Sequence, residues 1–133
     1  MILVDTNVLV DVVSDDPLWA EWSQRQLERA AAQDELGIND IVYAELSVRY
    51  ATIEELDAMI REASLISAAI PPPALFLAGK AFQRYRSAGG VKTGVLPDFF
   101  IGAHAVISDS LLITRDAARY RTYFPRITLI APN

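Results

Sequence analysis

Apolar residues along this chain recur in two patterns that take turns. Short runs, Met1 to Asp5, Leu36 to Ile38, Ser64 to Ala69, Leu111 to Thr114 and Ile127 to Ile130, have the length and composition of strands in a covered sheet. Between them the chain turns helical in its spacing. Thr6 or Asn7 is placed to cap a helix to about Val13 with Leu9, Val12 and Val13 inward, and Ser14-Asp15-Asp16-Pro17 reads as a turn and helix start. The next helix is predicted from Leu18 to about Gln33, with Trp19 and Trp22 on one face. Asn39 caps a helix to about Tyr50, on which Ile41, Glu45 and Val48 share a side, and Thr52 with Glu55 forms a capping box for Ile53 to about Ala63. After Pro71-Pro72-Pro73 a helix from about Ala74 to Ser87 stops at Gly89-Gly90, and Val91 to Pro97 is a loop holding Lys92, Thr93 and Gly94. Asp98 starts a helix through Ile107, in which Gly102 leaves room for close approach, and Asp116 to Tyr123 forms the last helix. Five strands alternating with helices predict an α/β domain with a mainly parallel sheet covered on both faces. At 133 residues, with no repeat and no linker, a single domain spanning 1–133 is expected.

Four acids fall where such a domain aims side chains outward. Asp5 and Asp116 follow the first and fourth strands, at the carboxyl edge where open parallel sheets bind ligands. Glu45 and Asp98 sit on or at the start of helices that lean over the same edge. Gathered together, four carboxylates repel one another unless a cation is present. Each also has a structural alternative: Asp5 and Asp116 as helix caps, Glu45 as the partner of an arginine, and Asp98 as an acid favoured by a helix N-terminus. Glu45 is the least explicable as a cap, because a carboxylate on an apolar stripe needs a partner.

Composition narrows the chemistry. With no cysteine, the chain has no disulfide, no Cys-ligated zinc, no iron–sulfur cluster and no thiol nucleophile. The N-terminus lacks the basic segment of a signal peptide and no apolar stretch approaches bilayer length, so a soluble, cytoplasmic protein without membrane contact is expected. The net charge of −5 conceals an asymmetry: residues 1–78 carry 14 acids and 4 bases, whereas residues 79–133 carry 3 acids and 8 bases. The second region is therefore suited to phosphate, and Arg84, Arg86 and Lys92, ahead of Asp98, are the candidate contacts, against the alternative of a solvated helix end. His104, the lone histidine, offers no metal-ligand pattern and is expected to be structural. Trp19 and Trp22 read as core residues or, if exposed, as the mark of a partner groove.

Three or four converging carboxylates suit Mg²⁺ or Mn²⁺, and the natural reaction of such a site is phosphodiester hydrolysis. The segments Leu3-Val4-Asp5-Thr6-Asn7-Val8-Leu9, Tyr43-Ala44-Glu45-Leu46, Pro97-Asp98-Phe99-Phe100-Ile101-Gly102-Ala103-His104-Ala105 and Leu112-Ile113-Thr114-Arg115-Asp116 together resemble the PIN-domain nucleases, most closely the VapC toxins of bacterial toxin–antitoxin pairs. The resemblance spans residue 2 to about 130 and rests on the order and spacing of all four segments. It implies a three-layer α/β/α sandwich and a Mg²⁺- or Mn²⁺-dependent endoribonuclease. Asp5, Glu45, Asp98 and Asp116 match the family's acidic, metal-binding and catalytic positions; Asn7 and Thr114 match polar positions that orient them; Arg115 matches a variable basic position and is a candidate phosphate contact. It further implies a homodimer restrained by an antitoxin, which makes Trp19 and Trp22 candidate interface residues. Haloacid-dehalogenase-type phosphatases also begin with a strand-end aspartate but need an acid two residues on, where this chain has Asn7. A receiver domain lacks support for want of an acidic pair beside the first strand. The non-enzymatic alternative is a PIN-like module that holds RNA, metal or a protein without turnover.

Overall fold

The computed structural model describes residues 1–92 and 94–132, so Thr93 of the predicted Val91–Pro97 loop and Asn133 lie outside the described residues. Five strands are all parallel: β1 (Ile2–Val4), β2 (Leu36–Ile38), β3 (Leu65–Ser67), β4 (Leu112–Ile113) and β5 (Leu129–Ile130), in the spatial order β3-β2-β1-β4-β5. Seven helices occur among the described residues: α1 (Thr6–Val13), α2 (Ala20–Ala31), α3 (Asp40–Ser47), α4 (Ile53–Glu62), α5 (Pro72–Ser87), α6 (Leu96–Ile107) and α7 (Ala117–Tyr123). They cover the sheet as the outer layers of an α/β/α sandwich. From β1 the chain winds outward through β2 to β3, then returns past β1 to build β4 and β5. The strand order reverses between β1 and β4, which opens a crevice beyond their carboxyl ends.

The central strands are apolar throughout because both their faces are covered: Ile2, Leu3, Val4, Leu112 and Ile113 are all buried. Edge strand β3 buries Leu65 and exposes Ile66 and Ser67. A second apolar cluster joins α5 to α6 and the chain after α7. Ala74, Ala78 and Ala81 repeat at helical spacing on α5, and their small side chains let it close on Phe99 and Ala103 of α6, with Phe124 alongside. Fully burying a ring such as Phe99 contributes about 2–3 kcal/mol.

Several boundaries differ from the pattern-based expectation. Helix α2 begins at Ala20 rather than Leu18, because the Asp16 carboxylate accepts from the backbone N–H of both Leu18 and Trp19 and holds them in a turn. On α1 the buried residues are Val8, Leu9 and Asp11, while Val13 faces solvent. Helix α3 ends at Ser47 and turns Val42 and Leu46 inward, leaving Glu45 half-buried at the edge of that stripe and Val48 exposed. Strand β3 starts after Ser64, whose φ of 54° closes α4 in the left-handed region. The capping box is half-made: Thr52 accepts from Glu55 N–H, but the Glu55 carboxylate returns to the N–H of Ala51. Gly89, at φ 96°, supplies the expected left-handed stop to α5. No described helix is long and apolar enough to cross a membrane.

Candidate active site

Asp5 leaves β1 at the reversal point. Its backbone N–H donates to Ile113 O at 2.9 Å, which fixes it beside β4, and it takes the N-cap position of α1, with Oδ1 accepting from Thr6 N–H at 2.8 Å. Capping uses only one oxygen. Oδ2 accepts from the Thr114 hydroxyl at 2.7 Å, from the Tyr120 hydroxyl at 3.0 Å and, at the long limit, from Asn7 Nδ2 at 3.4 Å. Every one of these donors is neutral. Burial, with the Asp98 charge adding to it, raises the Asp5 carboxyl from 3.8 to about 6 against the pull of the hydrogen bonds.

Tyr120 ties Asp5 to Asp98. The phenol is fully buried, and its single O–H is shared between Asp5 Oδ2 and Asp98 Oδ1, the latter at 3.4 Å. Burial foremost, then the charges of Asp5 and Asp98, push its pKa well above that of a free phenol, so it remains a donor. Gly102 makes room for this arrangement: a Cβ there would lie 2.5 Å from the Phe124 ring and 3.1 Å from that of Tyr120. Asp98 stands in the first turn of α6, which begins at Leu96 with Pro97 in its opening turn. Burial raises its pKa, partly countered by Arg119, whose Nη1 donates to Asp98 Oδ2 at 2.5 Å.

The other two acids border this pair. Glu45 Oε1 accepts from the Thr6 hydroxyl at 2.6 Å, and Thr6 also donates its N–H to Asp5. Asp116 occupies the N-cap position of α7 without making a side-chain cap, so its carboxylate, about half exposed, remains available and lies 3.8 Å from Arg119 Nη1. Thr114 couples the two strand-end acids, donating its hydroxyl to Asp5 and accepting from Asp116 N–H at 3.0 Å. Asn7 Oδ1 accepts from Arg115 N–H at 3.4 Å. The four acids thus border one crevice. Among the described residues, however, no three aspartate, glutamate or histidine side chains stand close enough together to hold a metal ion as they are.

The remaining candidates lie around this centre or away from it. Arg115 turns its fork inward: Nε and Nη2 donate to Asp11 Oδ2 and Oδ1 at 2.7 and 2.9 Å, while the guanidinium lies over Trp19 at 5.1 Å. These contacts engage the face expected to meet phosphate. Asp11, buried, also accepts from the Ser23 hydroxyl at 2.7 Å. Trp19 and Trp22 are half-buried and meet edge to face, with Trp22 against the main core. Arg84, Arg86 and Lys92 are exposed. Lys92 donates its backbone N–H to Tyr85 Oη, whereas Arg84 shares a hollow with Val106 and Arg126. Of the residues lining that hollow, Val106 lies about 12 Å along α6 from Asp98. His104 is structural, as expected: Asn39 Oδ1 caps α3 through Ile41 and Val42 N–H, which leaves Asn39 Nδ2 to donate to His104 Nδ1 at 3.1 Å. Burial lowers its pKa.

Sequence reasoning missed Thr6, Asp11, Arg119 and Tyr120. Helical spacing carries a signal for three of them: Arg119 and Tyr120 stand three and four residues beyond Asp116, and Asp11 stands three beyond the inward Val8.

No curated protein matches the chain. Among solved structures, VapBC2 from Rickettsia felis bound to a DNA fragment from its promoter aligns with a TM-score of 0.75 at 21% identity, covering 100% of both chains. VapBC-1 from nontypeable Haemophilus influenzae aligns at 0.73 and 18%, covering 98% of each. A toxin–antitoxin complex from Klebsiella pneumoniae aligns at 0.68 and 25%, covering 100% of this chain and 98% of that one. The PIN domain family matches residues 2–125, the span that carries all four acids and every strand but β5, and this chain belongs to that family.

Proposed function

We propose that this chain is a Mg²⁺- or Mn²⁺-dependent endoribonuclease, the toxin of a VapBC-type toxin–antitoxin pair. The observation that carries the reading is Asp5: a buried carboxylate at the strand-order reversal, held among the described residues only by neutral donors and sharing the Tyr120 proton with Asp98. A structural acid at that depth calls for a compensating charge. The donor set fits a hard cation, since carboxylate and hydroxyl oxygens border the crevice and Asp5 has no cationic partner among the described residues. Asp5 and Asp98, with Glu45 and Asp116 closing from α3 and the α7 start, are the residues that would hold it. Such an ion polarises phosphoryl oxygens and lowers the pKa of a bound water.

The chain's own groups prepare that site. Thr114 and Tyr120 fix the rotamer of Asp5, and Thr6 orients Glu45. At neutral pH Asp5, with its pKa of about 6, is largely ionised although buried. Asp116, half exposed, can close on a ligand without loss of a cap. Arg86 and Lys92, exposed on the approach from α5 to Asp98, are the RNA contacts this reading favours over Arg84 and Arg115. The antitoxin is a protein partner of the kind named for the structural neighbours, with Trp19 and Trp22 at its edge, and the toxin is a cytoplasmic homodimer.

The test is cleavage of single-stranded RNA by the partner-free chain, with and without Mn²⁺, Mg²⁺ or EDTA. Metal-dependent cuts within the strand are expected. Binding without cleavage under every metal condition would instead favour a non-catalytic module. Stoichiometric co-purification of a small antitoxin-sized protein from its native host tests the toxin assignment separately.

A further inference from the structure

Arg119 is the one guanidinium among the described ion pairs that faces the crevice acids. Its Nη1 lies 2.5 Å from Asp98 Oδ2 and 3.8 Å from Asp116 Oδ2, where it neutralises two of the four acids. Its side chain is 41% exposed, and both contacts use one nitrogen. Arg115 on the neighbouring loop differs in each respect, gripping a buried aspartate with two nitrogens. The Arg119 contacts are not what seats α7, since buried Tyr120 and the following Phe124 already pack it against α6. Asp98 is only 15% exposed, but the guanidinium is open to solvent and bonded through one nitrogen, so the part-buried pair can exchange.

We propose that Arg119 is an internal counter-cation that competes with the divalent ion for Asp98 and Asp116 and sets how tightly the site loads. The inference rests on the metal-site reading above. A guanidinium hydrogen and a metal ion cannot occupy the same carboxylate oxygen lobe, and like charges at that distance repel. Loading therefore requires Arg119 to swing away, which its exposure permits. A pair open to solvent on its guanidinium side contributes about 1 kcal/mol, so its removal shifts affinity by roughly fivefold.

The test is Mn²⁺ binding to the partner-free full chain by calorimetry, without RNA. Arg119→Gln is expected to bind Mn²⁺ roughly fivefold more tightly than wild type. Arg119→Lys, which keeps the charge, should stay near wild type, as should Arg121→Gln, which removes an exposed charge outside the described ion pairs. Equal or weaker binding by Arg119→Gln, or an equal gain in Arg121→Gln, overturns the proposal while leaving the metal site standing. Absence of Mn²⁺ binding to wild type and Arg119→Gln alike overturns both. Wild-type protein supplies a second readout that depends on no substitution. On Mg²⁺ titration the Arg119 side-chain NMR signal should move to its unpaired position while that of Arg115 holds, and an unmoved Arg119 signal at saturation overturns the proposal.

Discussion

Asp5 caps α1 and Asp11 lies within the same short helix, six residues on, and both are buried. Their surroundings are opposite. Asp11 receives a bidentate arginine and a serine hydroxyl, a closed set that answers its charge. Asp5 receives a threonine, a tyrosine, a backbone amide and a distant asparagine, and the charge that acts on it, that of Asp98, is of the same sign. Equal depth therefore separates two kinds of acid. One secures α1 and α2 to the β4–α7 loop; the other is held in place but left uncompensated, as a residue waiting for a cation is.

Breaking the closed set should produce the largest loss of stability. In Asp11→Ala the Arg115 fork is left without its partner beside Trp19, and destabilisation of about 3 kcal/mol is expected from urea unfolding. RNA cleavage per folded molecule should persist, because Asp11 borders no part of the crevice. Loss of cleavage with stability unchanged would reverse the roles of the two acids.

The pH dependence of metal-free protein comes next. Asp5 titrates near 3.8 when unfolded and near 6 when folded, so between those values the folded state holds the extra proton and stability falls as pH rises. The full shift corresponds to about 3 kcal/mol. Asp98, also raised, adds to the same slope. His104 opposes it: lowered in the folded state, it contributes stability above its unfolded value of about 6.5 that is lost as pH falls. Unfolding of wild type and Asp5→Asn in EDTA at several pH values isolates the Asp5 part. Parallel curves for the two proteins would mean that Asp5 is not uncompensated.

Smaller effects sharpen the comparison. Tyr120→Phe removes the hydrogen shared by Asp5 and Asp98 and should cost about 1 kcal/mol of stability. It should also slow cleavage about tenfold by loosening both carboxylates. Charge reversal at Arg86 and Lys92 should weaken RNA binding and flatten its salt dependence by about one unit of slope for each phosphate no longer engaged. An unchanged slope in electrophoretic or fluorescence titrations would place the RNA path elsewhere.

What was legible in the sequence follows from the physics of each feature. Strands β1, β2 and β4 announced themselves as apolar runs because their two covered faces exclude polar residues. Asp5, Asp98 and Asp116 stood out as candidates because they sit at strand ends and helix starts, and Glu45 because it lies on an otherwise apolar helix stripe, all features fixed locally. Tyr120 was not: it stands among Tyr123 and Phe124, and only the docking of α7 beside Gly102 selects the ring that reaches Asp5. Arg119 and Arg121 are likewise alike in sequence until the helix turn separates them. Arg115 was a candidate phosphate contact by its match to a basic family position, and its pairing with Asp11, 104 residues away, was hidden because nothing local reveals it. Strand order was equally hidden, since β1 joins β4 across most of the chain.

The most direct measurement is the rate at which partner-free wild type and Asp5→Asn cut single-stranded RNA with Mn²⁺ at neutral pH, each checked for fold by circular dichroism. Wild type should cut, and the variant should keep its fold while losing at least about a thousandfold in rate. A folded Asp5→Asn that cuts RNA at the wild-type rate would contradict the assignment of this crevice as a nuclease site.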